Sequence, residues 1–278
     1  MCIFLNSEGL QMNKFKIFTF IALTLFFSYS FAQKSVELEK ECKMNKFDAC
    51  ITLGVMHEHG KGFRQNKQKA IHLYTKACNG GDATGCNNLG TMYQKGDGIR
   101  SNKLKAMQLY SKSCEAGHDN GCLNLGILYD KGNGIRKDKF KAVELYSKVC
   151  DNGNLNGCNN LGIMYDIGEG VRQDKIKAVD LYKKACDGGR SSGCANLGSM
   201  YYNGEGVFTD KAKAISLYEK ACNGGNAKSC SNLGRIHNEG EFVDQNKPKA
   251  IYFYGRACDY KSNSGCKKYA LLKNQGFN

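Results

Sequence analysis

Residues 158–186 read CNNLGIMYDIGEGVRQDKIKAVDLYKKAC, and residues 194–222 read CANLGSMYYNGEGVFTDKAKAISLYEKAC. The second stretch begins 36 residues after the first and aligns with it without insertion or deletion. A fixed period of this length is typical of solenoids, in which each unit covers its apolar face only by stacking on its neighbours. The sequence therefore predicts an all-α fold, an α/α superhelical solenoid of helix pairs.

The cysteines follow the same period. The chain has 15 cysteines, of which all but Cys2 fall in Cys-x7-Cys pairs. These pairs are Cys42/Cys50, Cys78/Cys86, Cys114/Cys122, Cys150/Cys158, Cys186/Cys194, Cys222/Cys230 and Cys258/Cys266. An even number of cysteines in an exported chain favours disulfides, and the period favours a bridge within each pair. Structural zinc sites use closer Cys-x2-4-Cys spacing, and the histidines do not follow the period, so no metal is predicted.

Each unit is predicted to contain two helices, A and B. Helix A has an apolar face formed by Leu161, Met164 and Tyr165, and it ends at Gly168, where the chain turns. Asp174 is placed to cap helix B, and its counterparts are Asn66, Asn102, Asp138, Asp210 and Asn246. Glycine recurs inside helix A, which predicts a close contact with a neighbouring helix, at Gly54, Gly90, Gly126, Gly162, Gly198 and Gly234.

The N-terminus has the pattern of a signal peptide. A short basic start precedes the apolar run 17–27, and Ser30-Phe31-Ala32 suits cleavage after Ala32. Residues 1–11 have no role in this scheme, which leaves open that Met12 is the true start. The predicted organisation is a signal peptide at 1–32, a cap helix at 33–49, six repeats over 50–265 and a C-terminal cap at 266–278. We expect a secreted or periplasmic monomer without a membrane span.

The segment from Asn160 to Ala185 resembles the Sel1-like repeat, a relative of the tetratricopeptide repeat. The Cys-x7-Cys pair in every unit resembles the cysteine-rich secreted proteins of Helicobacter and its relatives. Members of that family are commonly labelled β-lactamases or penicillin binders, so the resemblance implies a β-lactam or a cell-wall fragment as one candidate ligand. The sixth repeat departs from the pattern, since Phe242 replaces the second turn glycine and Asp244 the usual arginine. These changes leave its loop geometry open.

No complete catalytic motif accompanies that resemblance. A serine β-lactamase needs Ser-x-x-Lys together with Ser-Asp-Asn and Lys-Thr-Gly elements, and only Ser264-x-x-Lys267 is present. Ser264 stands where a helix cap is expected. His57 and His59 flank a glutamate, but the spacing is not that of a zinc hydrolase, and His57 replaces a recurring core tyrosine. No catalytic residue and no cofactor is predicted.

Three recurring residue types have alternative interpretations. The tyrosines at helical spacing are expected to be core, although exposed aromatic rings could stack on bases or sugars. The lysines of helix B, such as Lys175, Lys177 and Lys184, contribute to a formal net charge of +14. They are expected to form a solvated face, and binding to anionic envelope polymers or nucleic acid is the alternative. No nucleic-acid partner is predicted.

Asparagine precedes the leucine of helix A in five successive units. These residues are Asn88, Asn124, Asn160, Asn196 and Asn232. They either tie neighbouring repeats together or face a groove that grips a peptide backbone, as the matching residue does in tetratricopeptide repeats, since an amide both donates and accepts hydrogen bonds. The neighbouring positions vary, as at Ile127, Asp130 and Lys131, which favours a reader of peptides or proteins. A weak β-lactamase and a protein that acts through its basic face are the alternatives.

Overall fold

The computed structural model describes residues 33–62, 64–132 and 134–276. The regular secondary structure of this part of the chain is α-helical, and it contains no strand. Helix α1 spans 33–43. The A helices are α2 (Phe47–His59), α4 (Ala83–Lys95), α6 (Asp119–Lys131), α8 (Leu155–Ile167), α10 (Ser191–Asn203), α12 (Ala227–Glu239) and α14 (Asn263–Asn274). The B helices are α3 (Lys67–Asn79), α5 (Lys103–Glu115), α7 (Lys139–Asp151), α9 (Lys175–Asp187), α11 (Lys211–Asn223) and α13 (Lys247–Asp259).

The helices form two compact units, one ending at Gly121 and the other beginning at Cys122. In the first unit, each helix from α2 to α5 packs on the next. In the second unit, the same order of packing continues from α7 to α14. The predicted all-α solenoid of helix pairs is confirmed. The predicted signal peptide, residues 1–32, lies outside the described residues.

Helix B begins at the predicted caps. The Asp174 carboxylate accepts a hydrogen bond of 2.9 Å from the backbone N–H of Lys177, which satisfies one of the orphan donors of the first turn. Equivalent bonds are made by Asn66, Asn102, Asp138, Asp210 and Asn246. Helix A of the fourth repeat ends at Gly168, whose φ of 75° lies in the left-handed region. These caps confirm the predicted helix boundaries.

The core of each repeat is built around one glycine and one tyrosine. Tyr182 of α9 is 1% exposed, and a Cβ on Gly162 of α8 would lie 2.7 Å from its ring. The same contact joins Gly198 to Tyr218 at 2.9 Å and Gly234 to Tyr254 at 2.6 Å. Glycine weakens a helix by about 1 kcal/mol relative to alanine, and here it makes room for a buried ring. The predicted close packing at these glycines is confirmed.

The cysteine pairs are bridged as predicted. In the bridge between Cys186 and Cys194, the Cα atoms lie 4.5 Å apart, and both side chains are buried. The other described bridges are Cys42–Cys50, Cys78–Cys86, Cys150–Cys158, Cys222–Cys230 and Cys258–Cys266. Each joins the end of α1 or of a helix B to the first turn of the next helix A, so it connects consecutive repeats.

The sixth repeat keeps the loop geometry of the others despite its unusual sequence. Phe242 has a φ of 63°, close to the 69° of the glycine at the same position in the fifth repeat, Gly206. A left-handed conformation costs a residue with a side chain about 1–2 kcal/mol. The Phe242 ring is more than half exposed and meets the Tyr202 ring edge-on, with 6.0 Å between centroids. The phenylalanine therefore adopts a glycine-like backbone and adds an aromatic surface.

Candidate binding groove

The recurring asparagines lie on one face of the A helices, which we call the groove face. In the second unit it comprises Asn124, Asn160, Asn196 and Asn232 with the side chains three, six and seven residues after each. All four asparagines are partly buried. Between α6 and α8 this face contains a cavity of about 290 Å³, lined by Ile127, Asp130, Lys131, Asn160 and Ile163 among others. The predicted asparagine and its variable neighbours therefore border one cavity.

The buried tyrosines of helix B bring their hydroxyl groups to this face. The Tyr182 hydroxyl donates to Asp166 at 3.3 Å, and the Tyr218 hydroxyl lies 3.1 Å from Oγ of Ser199. Burial raises the pKa of Tyr182, and the Asp166 carboxylate raises it further. These hydroxyls stay protonated at neutral pH and present fixed polar atoms along the groove face.

The asparagines also join successive repeats. Nδ2 of Asn196 donates to Oδ1 of Asn159 in the preceding repeat at 3.1 Å. Burial raises the pKa of Tyr146, the Asp130 charge raises it too, and a hydrogen bond from Asn160 of the following repeat partly offsets both. An amide has two donor hydrogens and two acceptor lone pairs, so one tie leaves capacity for a ligand. Both roles proposed from the sequence are compatible with these contacts.

A ladder of ion pairs borders the groove face. Lys175 opens helix α9 and pairs with Asp166 of its own repeat and, at 2.6 Å, with Glu205 of the next. Lys139 pairs in the same way with Asp130 and Glu169. Hydrogen bonds to both carboxylates raise the pKa of Lys175. These ion pairs were not predicted from the sequence. The signal was the lysine that recurs at the start of helix B together with an acid in the loop of the following repeat.

Two other helix B lysines, Lys177 and Lys184, are exposed as expected, and each also donates a hydrogen bond. Lys184 donates at 2.9 Å to the carbonyl oxygen of Cys150, at the end of the preceding helix B. Lys177 donates at 2.7 Å to the Tyr165 hydroxyl. Cations near a helix C-terminus are favourable because they complement its dipole, so Lys184 stabilises the repeat junction.

The tyrosines divide into two groups. Those of helix B are core, as predicted: Tyr74, Tyr110, Tyr146, Tyr182, Tyr218 and Tyr254. Those of helix A are only partly buried: Tyr93, Tyr129, Tyr165 and Tyr201. Tyr93, Tyr165 and Tyr201 still pack against the buried hydrophobic clusters, so they lie at the edge of the core. A lysine of helix B also covers some of these rings. Nζ of Lys213, for example, lies 4.1 Å from the Tyr201 ring centroid.

The Ser-x-x-Lys match lies at the start of α14. The cap of this helix is Ser262, whose side chain accepts from the backbone N–H of Gly265 at 3.1 Å. Ser264 lies in the first helical turn, so the expectation that it caps the helix was wrong by two residues. Cys266, between Ser264 and Lys267, is bonded to Cys258.

Two histidines take the place of the helix A tyrosine, His57 and His237, and both are buried. The His237 ring stacks on Phe253 with centroids 5.6 Å apart. Burial lowers the pKa of His237, Lys249 lowers it further, and Glu219 opposes the shift. His57 also has a pKa lowered by burial, with Lys69 contributing. Both positions therefore favour neutral imidazole.

We expect His237→Tyr to reduce the acid sensitivity of the fold. A histidine whose pKa is lowered on folding contributes its full stability above the unfolded pKa of about 6.5, and loses it as the pH falls toward the folded pKa. The fall in melting temperature between about pH 7.5 and about pH 5.5 should be smaller in the variant. Exposed His59→Gln is the control and should leave the difference unchanged. An unchanged difference in His237→Tyr would contradict the assignment.

Comparison with known proteins places these repeats in a family. The model of the Sel1 repeat matches residues 47–82, 83–118, 120–154, 155–189, 191–226 and 227–259. The chain is similar to a Sel1 repeat protein from Oxalobacter formigenes, with 26% identity over 82% of this chain and 96% of that one, and a TM-score of 0.74. No curated protein sequence matches the chain significantly.

The chain is also similar to a protective antigen of uropathogenic Escherichia coli strains, with 29% identity over 86% of this chain and a TM-score of 0.71. It spans 51% of the length of that antigen. Helicobacter pylori cysteine rich protein B is 37% identical over 47% of this chain and 93% of its own, with a TM-score of 0.39. The matched repeats cover most of the sequence, and the chain therefore belongs to the Sel1 repeat family.

Proposed function

We propose that this protein is an exported binding scaffold that holds a peptide segment of a partner protein on its groove face. Proteins built from such repeats commonly bind other proteins. Export is supported by the signal-peptide pattern of residues 1–32 and by the disulfides, which persist in oxidising compartments. In the described part of the chain, no helix has the length and hydropathy of a membrane span.

The observation that carries the proposal is the cavity beside Asn160. An amide that recurs at each repeat gives a fixed donor and acceptor, and a peptide backbone offers matching groups at every residue. The positions around each amide differ, as with Ile127, Ser199 and Arg235 at the same register. A constant backbone grip with variable neighbours suits recognition of one extended sequence.

The test needs a partner, which affinity capture from envelope proteins on the oxidised protein would supply. The double change Asn124→Ala with Asn160→Ala should then weaken binding by about tenfold to several hundredfold. Each lost amide contact costs about 1 kcal/mol, and more where the partner group is left buried and unpaired. Titration calorimetry with the captured partner measures the change.

The matched control is Lys183→Gln with Lys273→Gln, which removes two exposed charges that are not on the groove face. It should bind within about twofold of the wild type at moderate salt, since surface charges are screened there. Asn196→Ala breaks a described tie between repeats and should lower the melting temperature. If the double asparagine variant melts early and still binds normally when folded, these residues are packing ties and the groove proposal is wrong.

A further inference from the structure

In the second unit, exposed apolar side chains lie at or next to the loops that connect helix A to helix B. Phe208 is 97% exposed, Phe140 77% and Ile176 67%. Ile176 and Phe208 border the same recess of about 1030 Å³, which Tyr201 and Val207 also line. Large apolar side chains this exposed are uncommon on a soluble surface unless they contact something. We call Phe140, Ile176 and Phe208 the apolar edge.

The apolar edge is continuous from one repeat to the next. A Cβ on Gly206 would lie 2.4 Å from the carbonyl oxygen of Lys175, and one on Gly170 would lie 2.3 Å from that of Lys139. The loop of each repeat therefore lies against the start of the preceding helix B. Since Phe140 and Ile176 are the second residues of α7 and α9, they stand beside the loop that follows.

Cations are interspersed with these apolar side chains. Arg136, Lys137 and Lys141 surround Phe140 in a second recess of about 700 Å³, and all three are exposed. Arg172 and Lys177 flank Ile176 and are exposed as well. The carboxylates of this edge, Asp138, Asp174 and Asp210, accept hydrogen bonds from the first turns of their helices, and the positive helix ends partly offset their charge. The edge is therefore apolar at its tips and basic between them.

We propose that the apolar edge docks the protein on an anionic lipid surface. Phenylalanine and isoleucine would enter the boundary between headgroups and acyl chains, while arginine and lysine contact lipid phosphates. The formal net charge of +14 favours approach to such a surface. A lipid surface fits better than an acidic protein, because the Phe208 side chain is almost wholly exposed at the border of an open recess, where it can enter a lipid layer.

A single tryptophan reports on this contact, because the chain has none of its own. Phe208→Trp should shift its emission to shorter wavelength on vesicles of phosphatidylcholine mixed with phosphatidylglycerol. Brominated lipid should quench that emission. Leu271→Trp, at an exposed apolar position of α14, is the control and should show neither effect. Vesicles of phosphatidylcholine alone should leave both proteins unchanged.

Sedimentation with the same anionic vesicles measures the affinity. Phe140→Ser with Phe208→Ser should lower it by about tenfold or more, and Arg136→Gln with Arg172→Gln by about tenfold. These side chains are exposed, so the variants should keep the melting temperature of the wild type. Binding should also weaken with added salt. The pair Lys183→Gln and Lys228→Gln has the same charge loss elsewhere and should retain binding.

Three outcomes would overturn the proposal. The first is equal binding to neutral and anionic vesicles, and the second is an equal loss in the control pair, which would indicate a general charge effect. The third is Phe208-dependent binding to polyglutamate without binding to vesicles. That result would indicate that the apolar edge binds an acidic protein.

Discussion

Tyr182→Ala is expected to lower the free energy of unfolding by about 3 to 5 kcal/mol, the usual cost of removing a buried aromatic ring. The ring is 1% exposed and packs against Gly162 of α8, so its removal takes away a buried contact between α8 and α9. Urea denaturation measures the total decrease in the free energy of unfolding. Hydrogen exchange should rise first in α8 and α9. Tyr182→Phe keeps the ring and loses the hydroxyl that meets Asp166, so it should cost only about 1 kcal/mol.

Gly162→Ala tests the same contact from α8. Its effect on the free energy of unfolding should change sign when the Tyr182 ring is removed. In the wild type the new methyl group would lie 2.7 Å from Tyr182, and such overpacking costs about 1 to 3 kcal/mol. In the Tyr182→Ala background the space is open, and alanine should stabilise α8 by up to about 1 kcal/mol. If Gly162→Ala had the same effect in both backgrounds, the Tyr182 ring would not be what requires a glycine at position 162.

The contacts predicted correctly from the sequence are those that depend on spacing alone. Asp174 precedes an apolar helical pattern, so its role as a cap follows from helix termini in general. Cys186 and Cys194 recur with the repeat, and local pairing is the only scheme that treats every unit alike. The asparagines share one helical phase and hence one face, but their role in binding a peptide stays a prediction.

The contacts that were not predicted from the sequence depend on the conformation of a flexible side chain, which decides where its terminal group lies. Lys175 and Lys184 look alike in sequence, yet one ammonium group reaches two carboxylates and the other reaches a carbonyl oxygen 34 residues earlier. Long lysine side chains have several low-energy conformations, so spacing does not reveal the partner. Phe242 is a second case, because it adopts a glycine-like φ of 63° that a residue with a side chain disfavours.

These lysines place positive charge beside negative partners where the repeats of a strongly basic chain meet. Lys175 sits between acids of two repeats, and Lys184 meets the negative end of a helix. Charge that is used at the junctions is not offered to a ligand. The exposed arginines and lysines at the loops, such as Arg136 and Arg172, are the ones available to a partner surface.

Removing one disulfide, by Cys186→Ala with Cys194→Ala, is expected to lower the stability of its junction by about 2 to 4 kcal/mol. The bridge closes a short loop between α9 and α10, with a sequence separation of 8, so chain entropy alone contributes about 2.5 kcal/mol. Helices in a solenoid contact only their neighbours, so the loss should remain local. Hydrogen exchange should rise first in α9 and α10 and later, or not at all, in α13 and α14.

The matched control moves the same change to the last junction. Cys258→Ala with Cys266→Ala should raise exchange in α13 and α14 while α9 and α10 keep their protection, because that bridge clips only the final helix to its neighbour. Mass spectrometry of each variant should still find the remaining cysteines bonded to the one eight residues away. If either variant instead raised exchange evenly across all helices, the repeats would fold as one cooperative block, and each bridge would stabilise the whole chain rather than its own junction.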